Sequence, residues 1–315
     1  MAQENSSTIT ELALLGFSNH PQAEIPLFLL VSLVYLVNLF GNTAVIILVV
    51  IDSCLQTPMY FFLCHLAFLN ILYTTAVVPK MLFNLLASKK VISYKLCLAQ
   101  TYISLFMGAA ECIILAVMAL DRYVAICHPL RYLLIMNWSV CVQLAVGAWG
   151  ISFFVSVVPL YVTIPPFCGP YIIDHIFCEV PVLLHMVCGD TSVQETMMVI
   201  GASGTLLLPF LLVVLSYVHI LVAVMRMNSA EGRKKAFSTC SSHLAVVTIY
   251  YGTGMFMYMR PKSLYSAEGD KLISLFYAVI NPALNPLIYS LRNEEVKRAL
   301  RTVLERWPVS QGRRY

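Results

Sequence analysis

An acid, a guanidinium and a phenol stand in sequence at Asp121-Arg122-Tyr123, where a long apolar run ends. At a boundary between lipid and water, such a group can form a breakable ionic lock. A lone carboxylate, Glu111, lies inside the same run, and Asn281-Pro282 and Asn285-Pro286 interrupt another. Ionisable and helix-breaking residues are costly in lipid and usually face the bundle interior, so these two runs carry the working parts. His175-x-x-Cys178-Glu179 has the donor types of a soft-metal site. A thiol engaged in a disulfide offers no thiolate, which weighs against metal there. Met197, Met198, Met255, Met257 and Met259 read as adaptable packing rather than copper ligands. With no nucleophile–base pair, no CxxC pair and no metal cluster in the sequence, no enzyme is expected.

The elements that position these residues follow from composition. Of 315 residues 59% are hydrophobic and 11% charged, against about 25% charge in soluble domains. That surface suits lipid, which excludes a soluble enzyme, a nucleic-acid binder and a disordered chain. Seven apolar runs are long enough to cross about 30 Å of hydrocarbon as helix. They are Pro26 to Val50, Met59 to Leu86, Cys97 to Leu120, Val140 to Val162, Met197 to Met225, Phe237 to Met259, and Leu272 to Leu291. The expected fold is all-α, a bundle of seven transmembrane helices. Its divisions are a tail over residues 1–25, a bundle over 26–291, and a short amphipathic helix and tail over 292–315. Asn293 caps that helix, with Val296, Leu300, Val303 and Leu304 on one stripe facing the inner leaflet.

Charge sets the orientation. With the N-terminus outside, thirteen Lys and Arg fall on the cytoplasmic side and seven outside, so the positive-inside rule favours N-out and C-in, in the plasma membrane. The N-terminal segment lacks a basic n-region, so the first helix is expected to be its own targeting signal. Asn5, in an Asn-Ser-Ser sequon, then faces the glycosylation machinery, whereas Asn137 does not. Cys97, Cys168, Cys178 and Cys188 also fall outside, an even set that implies bridges with three pairings open. A bridge from Cys97 to the long second outer loop would fold that loop over the bundle mouth as a lid. Seven helices cannot divide into two equal halves, which lowers a transporter reading. A channel or transporter would also need several polar groups along a continuous path rather than Glu111 alone.

The position of Asp121-Arg122-Tyr123 at the inner end of the third run, with Asn285-Pro286-Leu287-Ile288-Tyr289 in the seventh, Gly41-Asn42 in the first and Trp149 in the fourth, resembles the rhodopsin-like G-protein-coupled receptors. Pro58-Met59-Tyr60-Phe61-Phe62-Leu63, the string from Met118 to Cys127, Ser216-Tyr217, the string from Lys235 to His243, and that from Pro282 to Asn293 narrow the resemblance to odorant receptors. Leu15-Gly16-Phe17-Ser18 and the start of the sixth run point to the tetrapod-type, class II branch. The resemblance implies bridges Cys97–Cys178 and Cys168–Cys188, a small volatile ligand, and a stimulatory, olfactory-type G protein that raises cyclic AMP.

It also implies ligand contacts, by matching helix positions, at Ser104, Leu105, Gly108, Ala109, Gly201, Ala202, Thr205, Tyr251, Met255, Tyr258, Leu275 and Ala278. None is ionised, so a small, mostly neutral molecule is expected rather than an amine transmitter or retinal. Coupling and activation are expected at Asp121, Arg122, Tyr123, Tyr217, Lys235, Asn285, Pro286 and Tyr289. No cofactor is expected beyond a sodium ion at Glu111, Asn70 and Asn285. Asn70 stands where family members usually carry an acid, so that site has one carboxylate, and the alternative is a protonated, hydrogen-bonded Glu111.

Overall fold

The computed structural model describes residues 10–162, 167, 171–184, 186–259, 266–292 and 294–306. Seven long helices form the bundle. They are α1 (Pro21–Ile51), α2 (Pro58–Leu86), α3 (Tyr94–Cys127), α4 (Trp138–Val162), α5 (Ser192–Met225), α6 (Ala230–Met259) and α7 (267–292), and α8 (Glu294–Arg306) follows. Most begin before their apolar runs because helix ends outside hydrocarbon accept polar residues. Pro21 opens α1 ahead of Pro26, in the first turn, where a missing N–H costs nothing. Ser93 caps α3, its hydroxyl accepting from the Leu96 amide at 3.3 Å. At the other end α3 runs to Cys127, so Asp121-Arg122-Tyr123 lies within the helix and does not close it.

The packing is inverted relative to a water-soluble bundle. Leu29, Leu33, Phe40 and Phe154 are more than half exposed on the outer face, whereas Asn38, Asn42, Asn70, Glu111, Asn281 and Asn285 are buried. Lipid solvates the first set, while the second finds partners only inside. Of the apolar stretch of α3, 67% is buried, against 22% of that of α5, so α3 is the central post, packed on α2, α4 and α5.

A polar chain ties four helices at mid-depth. Asn38 donates to Thr74 (2.5 Å), Asn42 to the Asn38 side-chain oxygen (2.6 Å), and Asn70 to Asn42 (3.3 Å). Asn285 completes it, donating to Glu111 (3.2 Å) and Asn70 (3.4 Å). Pro286 lacks the N–H that would bond the carbonyl of residue 282, and the Asn42 amide reaches that oxygen at 3.4 Å. The same contact explains Gly41: a Cβ there would lie 2.9 Å from Pro286 Cγ. α1 and α7 thus approach closely where a helix-breaking proline needs an outside donor.

The end of the bundle at which α1 begins carries a three-stranded sheet that the helical reading did not include. β1 (Glu11–Leu14) pairs antiparallel with β2 (Val91–Ser93), Leu12 opposite Ile92, and parallel with β3 (Ile172–Ile173), Leu14 opposite Ile173. Leu12, Leu14, Ile92, Ile173, Phe167 and Leu183 form a separate apolar core beneath it, with Cys97 and Cys178 bonded in their midst. Gly16 turns the chain out of β1 at φ 55°, a left-handed conformation that glycine adopts without strain. Ion pairs fasten the rim: Lys90 to Glu24, Lys89 to Glu11 (3.0 Å), and the fully buried Lys271 to Asp174 (2.7 Å) and Glu268 (3.0 Å). At the opposite end, α8 packs beside α1 and α7 with Val296 and Ala299 buried.

Candidate functional site

Beneath the lid lies a cavity of about 130 Å³, similar to the roughly 150 Å³ that accommodates a benzene ring. α3 supplies Ser104, Leu105, Gly108 and Ala109 to its wall, and α5 supplies Gly201, Ala202 and Thr205. Tyr258 comes from α6 and Val180 from the lid. These include eight of the twelve expected contact positions. Tyr251, Met255, Leu275 and Ala278 do not line the wall, and Tyr73, Glu111, Val155, Ser156, Met198, Tyr250, Thr253, Gly254, Tyr277 and Pro282 do so without having been expected.

Helical phase accounts for much of the difference. On α6 the wall follows steps of four from Tyr258, an expected contact, through Gly254 to Tyr250, which stand one residue before the expected Met255 and Tyr251. Tyr251 turns instead into the core, where its ring meets Phe210 at 5.4 Å and its hydroxyl donates to the Cys112 carbonyl at 2.7 Å. On α7 a π-helical turn, Phe276–Ile280, inserts extra residue length into the helix. It brings Tyr277 to the wall and leaves Leu275 and Ala278 in the packing. A second such turn, Ser203–Leu207 in α5, holds Thr205 and Leu206 on the wall. The repeated spacing on α6 was a legible signal for Tyr250; π-turns leave none as simple.

The lid is fixed by the Cys97–Cys178 disulfide. Gln100 supports it from α3, accepting from the Cys178 amide (2.8 Å) and donating to the Ala76 carbonyl (2.9 Å). Cys188 is also disulfide-bonded, and Cys168 lies outside the described residues, as does Asn5. With Cys178 in a bridge, the soft-metal reading loses its thiolate. His175 bonds the Phe177 carbonyl (3.1 Å) and Ser274 (3.2 Å). Glu179 is buried and accepts from Tyr277 (2.5 Å) and Tyr258 (3.4 Å). Among the described residues no group of three His, Cys, Asp or Glu could hold a metal. Met197 is surface-exposed, Met257 is buried, and Met198 faces the cavity.

At the end of the bundle away from the lid the buried Asp121 carboxylate accepts from Tyr132 at 2.8 Å. No ion pair joins it to Arg122 among the described residues. Tyr132 lies in a one-turn helix, Tyr132–Ile135, between α3 and α4, and no motif pointed to it. Burial, then the Asp121 carboxylate, raises its hydroxyl pKa well above the usual phenol range, so it remains a donor at physiological pH. Tyr217 and His243 share a 2.8 Å hydrogen bond between α5 and α6, and His243 also meets the Leu115 carbonyl at 3.1 Å. Tyr123 bonds His128 at 3.3 Å, and Tyr289 is buried with no partner for its hydroxyl among the described residues. The side chain of Lys235 lies outside the described residues.

A seven-helix bundle with a bridged outer lid, a cavity beneath it and Asp-Arg-Tyr on the central helix defines the G-protein-coupled receptor class. A family model described as olfactory receptor matches residues 31–306. The chain is 50% identical over 303 residues to olfactory receptor 2A12 of Homo sapiens, covering 96% of this chain and 98% of that one. Olfactory receptor 13D1 of Homo sapiens is 47% identical over 307 residues, with 97% and 89% covered. Olfactory receptor 2A7 of Mus musculus is 48% identical over 301 residues, with 95% and 97% covered. The chain belongs to the olfactory receptor family and is a multi-pass membrane protein, not an enzyme.

Proposed function

We propose that this protein is an odorant receptor of the plasma membrane that binds a small, mostly neutral volatile molecule between α3, α5, α6 and α7. Binding activates a stimulatory, olfactory-type G protein and raises cyclic AMP. The observation that carries this reading is the cavity of about 130 Å³ under a disulfide-fixed lid, lined mainly by apolar and hydroxyl side chains with one carboxyl, Glu111, and, among the described residues, by no Lys, Arg or His. Dispersion and one or two hydrogen bonds suffice to hold a small ligand there. The N-terminal residues 1–25, with Asn5 glycosylated, face outward, residues 26–291 form the bundle, and residues 292–315 lie at the cytoplasmic face.

Ligand in the cavity favours one packing of α6 and α7 around Tyr251 and Pro286. It shifts the equilibrium only by its differential affinity for the two states. In the quiet state Asp121 is held by Tyr132 and α6 is tied to α5 by Tyr217–His243. On activation α6 swings out and the G-protein C-terminus docks beside Arg122, Tyr123, Tyr217 and Lys235, with Asn285 and Tyr289 following the movement of α7. Glu111 and Asn285 would hold a sodium ion, with Asn70 beside them. The fit rests on one carboxylate and on the buried Asn285 side-chain oxygen, which has no partner among the described residues. The ion would supply positive charge opposite Glu111.

Cells expressing this chain with an olfactory-type G protein and a cyclic AMP reporter test the reading. A dose-dependent rise to neutral volatiles is expected. Silence at verified surface expression would refute it.

A further inference from the structure

The cavity's hydroxyl groups have an uneven hydrogen-bonding capacity. A carbonyl oxygen cannot donate, so a hydroxyl bonded to one has committed its proton. Tyr250 gives its proton to the Gly108 carbonyl (2.8 Å), Thr205 to Gly201 (2.8 Å), Thr253 to Ile249 (2.7 Å) and Ser156 to Ser152 (2.5 Å). Tyr277 and Tyr258 likewise give theirs to the Glu179 carboxylate. All six residues line the cavity. Each hydroxyl oxygen keeps lone-pair capacity and has no proton left for a ligand. Two buried wall hydroxyls, Ser104 and Tyr73, have no partner among the described residues.

We propose that the cavity selects neutral ligands that bring the hydrogen-bond donor: alcohols and phenols rather than ethers, ketones or carboxylates. This deepens the odorant-receptor reading and rests on it. A ketone or ether oxygen placed against these six hydroxyls meets lone pairs with lone pairs, and only Ser104 and Tyr73 offer relief. An alcohol O–H makes a bond to the same oxygens without breaking any of the six. Carboxylates are opposed further, since the wall holds Glu111 and, among the described residues, no basic side chain. The cavity volume favours a ligand of about six heavy atoms, on the scale of the benzene-sized pocket above.

The test begins from a cyclic AMP screen of volatiles of that size on the full-length receptor. On the carbon skeleton of the best responder, the alcohol, methyl ether, ketone and carboxylate are then compared. The alcohol should be more potent than the ether and ketone by roughly tenfold, the scale of one hydrogen bond to an otherwise dry site, and the carboxylate should be inactive. Thr205→Val, Thr253→Val and Tyr277→Phe each remove one acceptor, and at least one should lower the alcohol-to-ether potency ratio at least threefold. A ketone or ether equal to or better than the alcohol, or a ratio unmoved in all three variants, would overturn the proposal while leaving the receptor reading intact. A silent screen at verified surface expression would overturn the receptor reading and this proposal together.

Discussion

Tyr132 holds the buried Asp121 carboxylate from a loop that no motif marked. Leaving a buried acceptor without its donor costs about 1–3 kcal/mol, and in the proposed mechanism that cost falls on the resting arrangement. Tyr132→Phe should therefore raise ligand-free cyclic AMP severalfold at matched surface expression, and an unchanged baseline would remove Tyr132 from the switch. Gly41 gives a second residue-scale test. With Pro286 Cγ 2.9 Å from where a Cβ would sit, Gly41→Ala must push α1 and α7 apart, at roughly 1–3 kcal/mol for overpacking. A lower melting temperature of the detergent-solubilised receptor is expected, and wild-type stability would show that α7 yields freely at its proline.

At the scale of elements, the helices were legible because lipid imposes one rule, a long apolar run with every backbone group bonded inside it. The rule says nothing of phase. The α6 stripe was placed one residue away, on Tyr251 and Met255, while Tyr250 and Gly254 face the cavity. Tyr277 was hidden by a π-turn that no run of apolar residues announces. The sheet was missed for another reason: its strands have four, three and two residues, too short for alternation to show, and they pair segments far apart in the chain. Bridge and sheet share one small apolar core, so they should fail together. Cys97→Ser should cost about 2–4 kcal/mol and sharply lower surface expression, and a fully expressed, responsive variant would show that the sheet holds the lid alone.

Across the whole molecule, polar groups divide into an outer set that closes the lid, a middle chain of asparagines around Glu111, and an inner set around Asp121 and His243. The two outermost were partly readable from motifs; the hydrogen bonds joining them to Tyr132, Tyr258 and Tyr277 were not, because they cross between helices. In the proposed mechanism signal passes from a cavity lined by Tyr250 and Tyr258 to the Tyr217–His243 bond, whose His243 lies on α6, a single continuous helix. Rigid movement of α6 is the simplest way to couple the ends, and Arg122 lies on α3 at the face it would uncover. The most direct measurement is the cyclic AMP response to an active volatile in Arg122→Ala, at surface expression equal to wild type and with an olfactory-type G protein supplied. Loss of the response is expected, and a response of undiminished potency and amplitude would contradict signalling through this face.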